Sequence, residues 1–147
     1  MTYTEKQQDL FACPNEYYLA HCISADFNMG RGIVTEFNKR FFLGSKLRTF
    51  HPGYLRKWQE SGMEYDCLIC GRVINLITKE KYSHKPTYDS LRGALQRMKE
   101  ECRLNGIRKV AMPLIGCGLD KLKWEQVSAI IREVFADTDM DILVCIR

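Results

Sequence analysis

The chain has 147 residues, 46% hydrophobic and 27% charged, the size and mixture of one folded domain with room for a sizeable core rather than a disordered or membrane-embedded chain. Its 22 basic and 18 acidic residues leave a net charge of +4, too small by itself to imply a polyanionic partner. No apolar run is long enough to span a bilayer, and the start MTYTEKQQDLF puts acids and amides before any apolar run, so neither membrane association nor secretion is expected and a cytoplasmic or nuclear location is.

Taken in order, TYTEKQ reads as an edge strand and YYLAHCIS, 17–24, as a buried one. NMGRGIV, 28–34, is a glycine turn running into a helix whose apolar stripe is Ile33, Val34, Phe37 and Phe41. Residues 43–63 lack a clean period and read as a loop plus a short helix. YDCLICG, 65–71, and RVINLIT, 72–78, are strands that Gly71 and Arg72 can fold into a hairpin, which makes the sheet mixed. Over 88–105, Leu91, Ala94, Leu95, Met98 and Cys102 recur at helical spacing, and Gly106 follows as a C-cap. RKVAMP, 108–113, is a strand, IGCGLD, 115–120, a second glycine turn, and 124–135 a helix on Trp124, Val127, Ile130, Ile131, Val134 and Phe135. DILVCI, 141–146, closes the series as a strand. Short strands alternating with helices predict an α/β layered domain spanning 1–147.

Seven cysteines, an odd number in mostly apolar stretches, predict reduced thiols and no disulfide. The pair in CLIC, 67–70, is offset by three in a strand, so its side chains take opposite faces and pack rather than chelate. No carboxylate and histidine cluster has metal-ligand spacing, and no metal or other cofactor is expected. Between Glu36 and Glu60 lie Lys39, Arg40, Lys46, Arg48, Arg56 and Lys57 with no acid among them. This stretch, 39–57, is either a solvated helical face or a surface for nucleic acid or another anion. Nothing marks an oligomer interface, and a monomer is expected.

The two glycine turns occupy equivalent places, each between a strand and a helix. In an open α/β sheet such turns gather where ligands bind, and glycine lets backbone N–H groups face phosphate oxygens. Neither turn matches GxxxxGK[ST] or GxGxxG, which disfavours a P-loop nucleotidase and an ordinary dinucleotide dehydrogenase. Asp120 at the lip of the second turn is out of place for a phosphate cradle alone.

The segments QDLFACP (8–14), LAHCIS (19–24), MGRGI (29–33), LITKEKYSHKPTY (76–88), MPLIGCGLD (112–120) and LKWEQVSAII (122–131) resemble the macrodomain family, and within it the branch of the terminal ADP-ribose protein glycohydrolase, or O-acetyl-ADP-ribose deacetylase. HCISAD stands where other branches carry an asparagine-rich strand end, and Gln8 stands where glycine usually precedes the adenine-binding acid. The resemblance implies a three-layer α/β/α fold on a central mixed six-stranded sheet, ADP-ribose as ligand or product, and ADP-ribosylated substrates as partners. It implies that Asp9 accepts from the adenine amino group, that Gly30, Arg31, Gly32 and Ile33 form the first diphosphate loop, that Ile115, Gly116, Cys117, Gly118 and Leu119 form the second and pass the distal ribose, and that Leu10, Met29 and Leu114 also meet ADP-ribose. Ser24 becomes a hydroxyl near that ribose. Lys85 and Asp120 become the reactive pair: the neutral amine attacks the anomeric carbon once the ribose ring opens, forming a covalent lysyl adduct and expelling a carboxylate, while the aspartate moves protons for ring opening and adduct hydrolysis. His84 reads as a loop-orienting residue and His21 as a core histidine. The implied activity removes ADP-ribose from acidic protein side chains or deacetylates O-acetyl-ADP-ribose. The alternatives are ADP-ribose on nucleic acid bases and a reader that binds without turnover.

Overall fold

The computed structural model describes all 147 residues. Strands β1 (Thr2–Gln7), β2 (Tyr18–Ser24), β3 (Asp66–Cys70), β4 (Val73–Lys79), β5 (Lys109–Met112) and β6 (Asp141–Ile146) form one six-stranded sheet in the order β1-β6-β5-β2-β4-β3. All neighbours are parallel except β3 and β4, the hairpin turned by Gly71 and Arg72. The sheet is therefore mixed, as its sequence predicts.

Helices α1 (Val34–Phe41), α2 (Leu43–Phe50) and α3 (Tyr54–Ser61) cover one face, and α4 (Tyr88–Asn105) and α5 (Trp124–Phe135) the other. Alternation along each strand divides the core between them. Ala20, Ile74, Leu76, Val110, Met112, Ile142 and Val144 pack under α4 and α5, while Leu19, Ile23, Val73, Ile77 and Ala111 pack under α1 to α3. The two CLIC thiols separate as their offset requires: Cys67 joins the first cluster and Cys70 borders the second. All seven cysteines are free thiols.

The stretch expected to hold a loop and one short helix contains two helices. Leu43 with Leu47, and Tyr54 with Trp58, are buried pairs four residues apart. Eight residues give only one such repeat each, and Phe42 (φ 51°) and Gly53 (φ 69°) break the phase before each helix with left-handed backbone. Ile33, assigned to the stripe of α1, lies just outside that helix and is exposed. By contrast α4 spans the expected 88–105. Thr87 and Ser90 form a capping box with bonds of 2.9 and 3.0 Å, and Gly106 closes the C-terminal end. No helix is long and apolar enough to cross a membrane.

Candidate active site

A cavity of about 590 Å³ opens at the carboxyl ends of β2, β4 and β5, where the two glycine turns face each other. Gly30 to Val34 form one wall. Ile33 caps α1 without a side-chain hydrogen bond, so no side chain caps the first N–H groups of that helix. Leu114 to Asp120 form the opposite wall. Gly116 has φ of +74°, and a Cβ built on it lies 3.0 Å from Leu122 Cδ1, so only glycine passes there without strain. Leu119 bridges the walls, its Cδ1 lying 3.5 Å from a Cβ built on Gly32.

Asp9 and Leu10 line the end of the cavity near β1 and β6. Asp9 caps a short 3₁₀ turn, Leu10–Ala12: its Oδ1 accepts from Phe11 N at 3.0 Å and lies 3.6 Å from the Arg147 guanidinium. Met29 departs from expectation. It is buried in the core under α1 to α3 and does not line the cavity, because its side chain turns inward between exposed Asn28 and Gly30.

The carboxylate of Asp120 is engaged, and by a different lysine from the one expected. Lys79 Nζ donates to Asp120 Oδ1 at 2.7 Å, with only 13% and 14% of the two side chains exposed. Lys85 also lines the cavity, but its exposed amine donates to the Leu119 carbonyl at 2.5 Å. Lys85 therefore braces the second glycine loop one residue from Asp120, while Lys79, the last residue of β4, reaches Asp120 itself. Lys79 lies in register with Ser24 across the β2–β4 pairing, just past an irregularity between Ile23 and Ser24. Ser24 is 2% exposed, and its Oγ donates to Asp26 Oδ1 at 2.5 Å.

Two thiols sit near this pair. Burial, then the charge of Asp120, pushes Cys22 well above the ordinary thiol range, and burial raises Cys117. Both therefore stay protonated at neutral pH and supply no thiolate nucleophile. His21, on the floor, donates from Nε2 to Asn75 Oδ1 at 2.7 Å, since the Asn75 amide nitrogen is committed to the Leu68 carbonyl. It stacks on Phe37, and burial holds its pKa down to about 4, as befits a core histidine. His84 is exposed, away from Asp120's hydrogen bonds. No group of three or more His, Cys, Asp or Glu gathers as a metal site would require.

The Macro domain family pattern matches residues 63–131. ADP-ribose glycohydrolase OARD1 of Bos taurus is 49% identical over 137 residues, 92% of this chain and 86% of that protein. The chain belongs to the macrodomain family. Among solved structures, the macrodomain of Mycobacterium tuberculosis DarG has a TM-score of 0.76, covering 98% of this chain and 97% of its own at 21% identity. Thermosipho africanus DarTG in complex with ADP-ribose has a TM-score of 0.75, covering 99% of this chain and 42% of its own at 16% identity. At those identities the likeness is one of fold.

The sequence motifs did not point to Lys79, nor to Tyr82, Ser83 and Arg147, as lining residues of this macrodomain. A signal for Lys79 was present. It ends a strand beside a glycine turn, the position at which α/β sheets place ligand-facing side chains.

Proposed function

We propose that this macrodomain is an ADP-ribose glycohydrolase that releases ADP-ribose from carboxylate-linked protein adducts or deacetylates O-acetyl-ADP-ribose, with Lys79 as nucleophile and Asp120 as its proton partner. The observation that carries the reading is the 2.7 Å Lys79–Asp120 pair, nearly sealed from water in the wall of a cavity flanked by two glycine loops. The 49% identity to a protein named ADP-ribose glycohydrolase supports the glycohydrolase part of it.

ADP-ribose lies with adenine at Asp9, diphosphate between the loops at Gly30–Ile33 and Ile115–Gly118, and distal ribose at Ser24, Lys79 and Asp120. Asp120 takes a proton from the Lys79 ammonium. The freed amine bonds to the anomeric carbon as the bond from that carbon to the carboxylate breaks, and the carboxylate leaves with the electron pair. An amine proton then passes to the ring oxygen as the ribose ring opens, leaving a protonated imine between Lys79 Nζ and that carbon; water adds to the imine carbon, the carbon–nitrogen bond breaks and the ring closes again. The amine recovers its proton and ADP-ribose is released. The 2.7 Å separation needs no rearrangement for the first transfer. In this scheme Lys85 holds the Leu119 carbonyl and keeps the loop in place.

Borohydride trapping with peptide mapping tests the assignment. Lys79→Ala is expected to abolish turnover and the trapped adduct while still binding ADP-ribose, and Lys85→Ala to keep both. An adduct mapped to Lys85 would reverse the two roles. No adduct, with full activity in both variants, would end the lysyl mechanism. A wild type that binds ADP-ribose without turnover would be a reader.

A second reading has ADP-ribose on nucleic acid. Phe42 and Phe50 are each 69% exposed, and exposed Lys46 lies one helical turn from both, an aromatic and basic stripe suited to a single strand. Release from ADP-ribosylated DNA that exceeds release from ADP-ribosylated glutamate and falls steeply with salt is the expected signature. Equal rates unaffected by salt would remove it.

A further inference from the structure

Asp26 lies beyond the end of β2, outside both glycine loops and outside the Lys79–Asp120 pair. Its carboxylate nevertheless ties three parts of the site together. Oδ1 accepts from Ser24 Oγ at 2.5 Å and from Asn28 N at 3.0 Å, and Oδ2 accepts from Tyr82 N at 3.1 Å. Its own amide donates to the Glu80 carbonyl at 3.1 Å, and that of Ala25 to the Lys79 carbonyl at 2.9 Å, extending the β2–β4 ladder past both strand ends. The group is thus anchored by backbone on both sides of the ribose end.

The direction of the bond from Ser24 has a chemical consequence. A hydroxyl carries one proton and two lone pairs, and an ionised carboxylate can only accept. With its proton committed to Asp26, Ser24 offers only lone pairs to the cavity. Whatever meets Ser24 there must donate, as a sugar hydroxyl can and a carboxylate or phosphate oxygen cannot.

We propose that Asp26 is a positioning residue that fixes Ser24 as a hydrogen-bond acceptor for a hydroxyl of the distal ribose, and so lets the site distinguish ADP-ribose from nucleotides that end at the diphosphate. This rests on the placement of ADP-ribose proposed above. Asp26 does not touch the ligand; it acts through Ser24. Removing the carboxylate removes that acceptor: in Asp26→Ala the Ser24 hydroxyl loses its proton acceptor, and Asn28 N and Tyr82 N lose theirs.

The test is a double-mutant cycle on equilibrium binding, read by calorimetry with ADP-ribose and, separately, with ADP. ADP shares the adenine and diphosphate contacts but lacks the distal ribose. Asp26→Ala and Ser24→Ala are each expected to weaken ADP-ribose about ten- to a hundredfold, the range for a charge-supported hydrogen bond, while ADP binding stays within about threefold. The double variant should be no worse than Ser24→Ala. Equal losses for ADP and ADP-ribose would overturn the proposal, because a loop-bracing role weakens both. Independent, multiplying effects of the two substitutions would overturn it as well. Should Asp26→Ala fail to fold, Ser24→Ala carries the test alone: an unchanged preference for ADP-ribose over ADP refutes the acceptor role. A wild type that binds neither nucleotide would instead overturn the parent reading and this inference with it, and a bound but unhydrolysed ADP-ribose leaves the cycle fully readable.

Discussion

Breaking the Lys79–Asp120 pair from one side should cost more stability than the pair itself contributes. At 2.7 Å and an effective dielectric of about 20, the attraction is about 6 kcal/mol before solvation is counted. Desolvating both ends takes back most of that, leaving a net coupling of about 2 kcal/mol. A single substitution is harsher, because it strands a charge with only 13–14% of its side chain in water. Lys79→Met and Asp120→Asn should each cost about 3 kcal/mol, the low end for a buried pair, and lower the melting temperature by about 10 °C in a chain of this length. The double variant should cost about 4 kcal/mol rather than the sum of the two. Urea unfolding of the four proteins at pH 7 measures the cycle. A coupling below about 0.5 kcal/mol would mean that Asp120 does not hold this amine, and Lys79 would lose its geometric claim to the nucleophile's role.

Burial lowers the pKa of His21 from 6.5 to about 4, so the unfolded chain binds a proton there that the folded chain refuses. Stability from this group is fully present above pH 6.5 and is lost as pH falls through about 4, with a total of about 3 kcal/mol. Denaturant midpoints at pH 7 and 4.5 should show the fall, and His21→Gln should flatten it; an identical slope in the variant would place the proton uptake elsewhere. Gly116→Ala puts a Cβ at 3.0 Å from Leu122 Cδ1 on backbone with φ of +74°, a strain of about 1–2 kcal/mol. It should weaken ADP-ribose about tenfold by displacing the second loop, and unchanged affinity would show that this loop does not contact the diphosphate.

Local pattern was enough for the elements that are long or that repeat. Leu91 to Cys102 gives five buried positions on one stripe, and the glycine after it ends the helix, so α4 is legible from composition along the chain. The helices α2 and α3 were not, since each carries its buried positions within a single repeat. The site poses a harder problem of the same kind. Lys79, Lys81 and Lys85 fall within one short stretch, and local pattern cannot say which of them meets a residue 41 positions away. Sheet order settles it. The loop carrying Asp120 leaves β5, and β2 lies between β5 and β4. With strands about 4.8 Å apart, that loop must lean across the end of β2, and a side chain from the end of β4 must bridge much of the remaining span of about 10 Å. A lysine at the last position of β4 has the length to do so. It also has the facing direction, because it is in register with Ser24; a shift of one residue would turn it to the opposite side of the sheet. Lys85, six residues further along an exposed loop, approaches from outside and reaches the backbone of Leu119 before it can reach the carboxylate. The preference for Lys79 as the proposed nucleophile is therefore a consequence of strand order and register, which the macrodomain resemblance and the SHKPTY and IGCGLD motifs did not encode at the level of a single lysine.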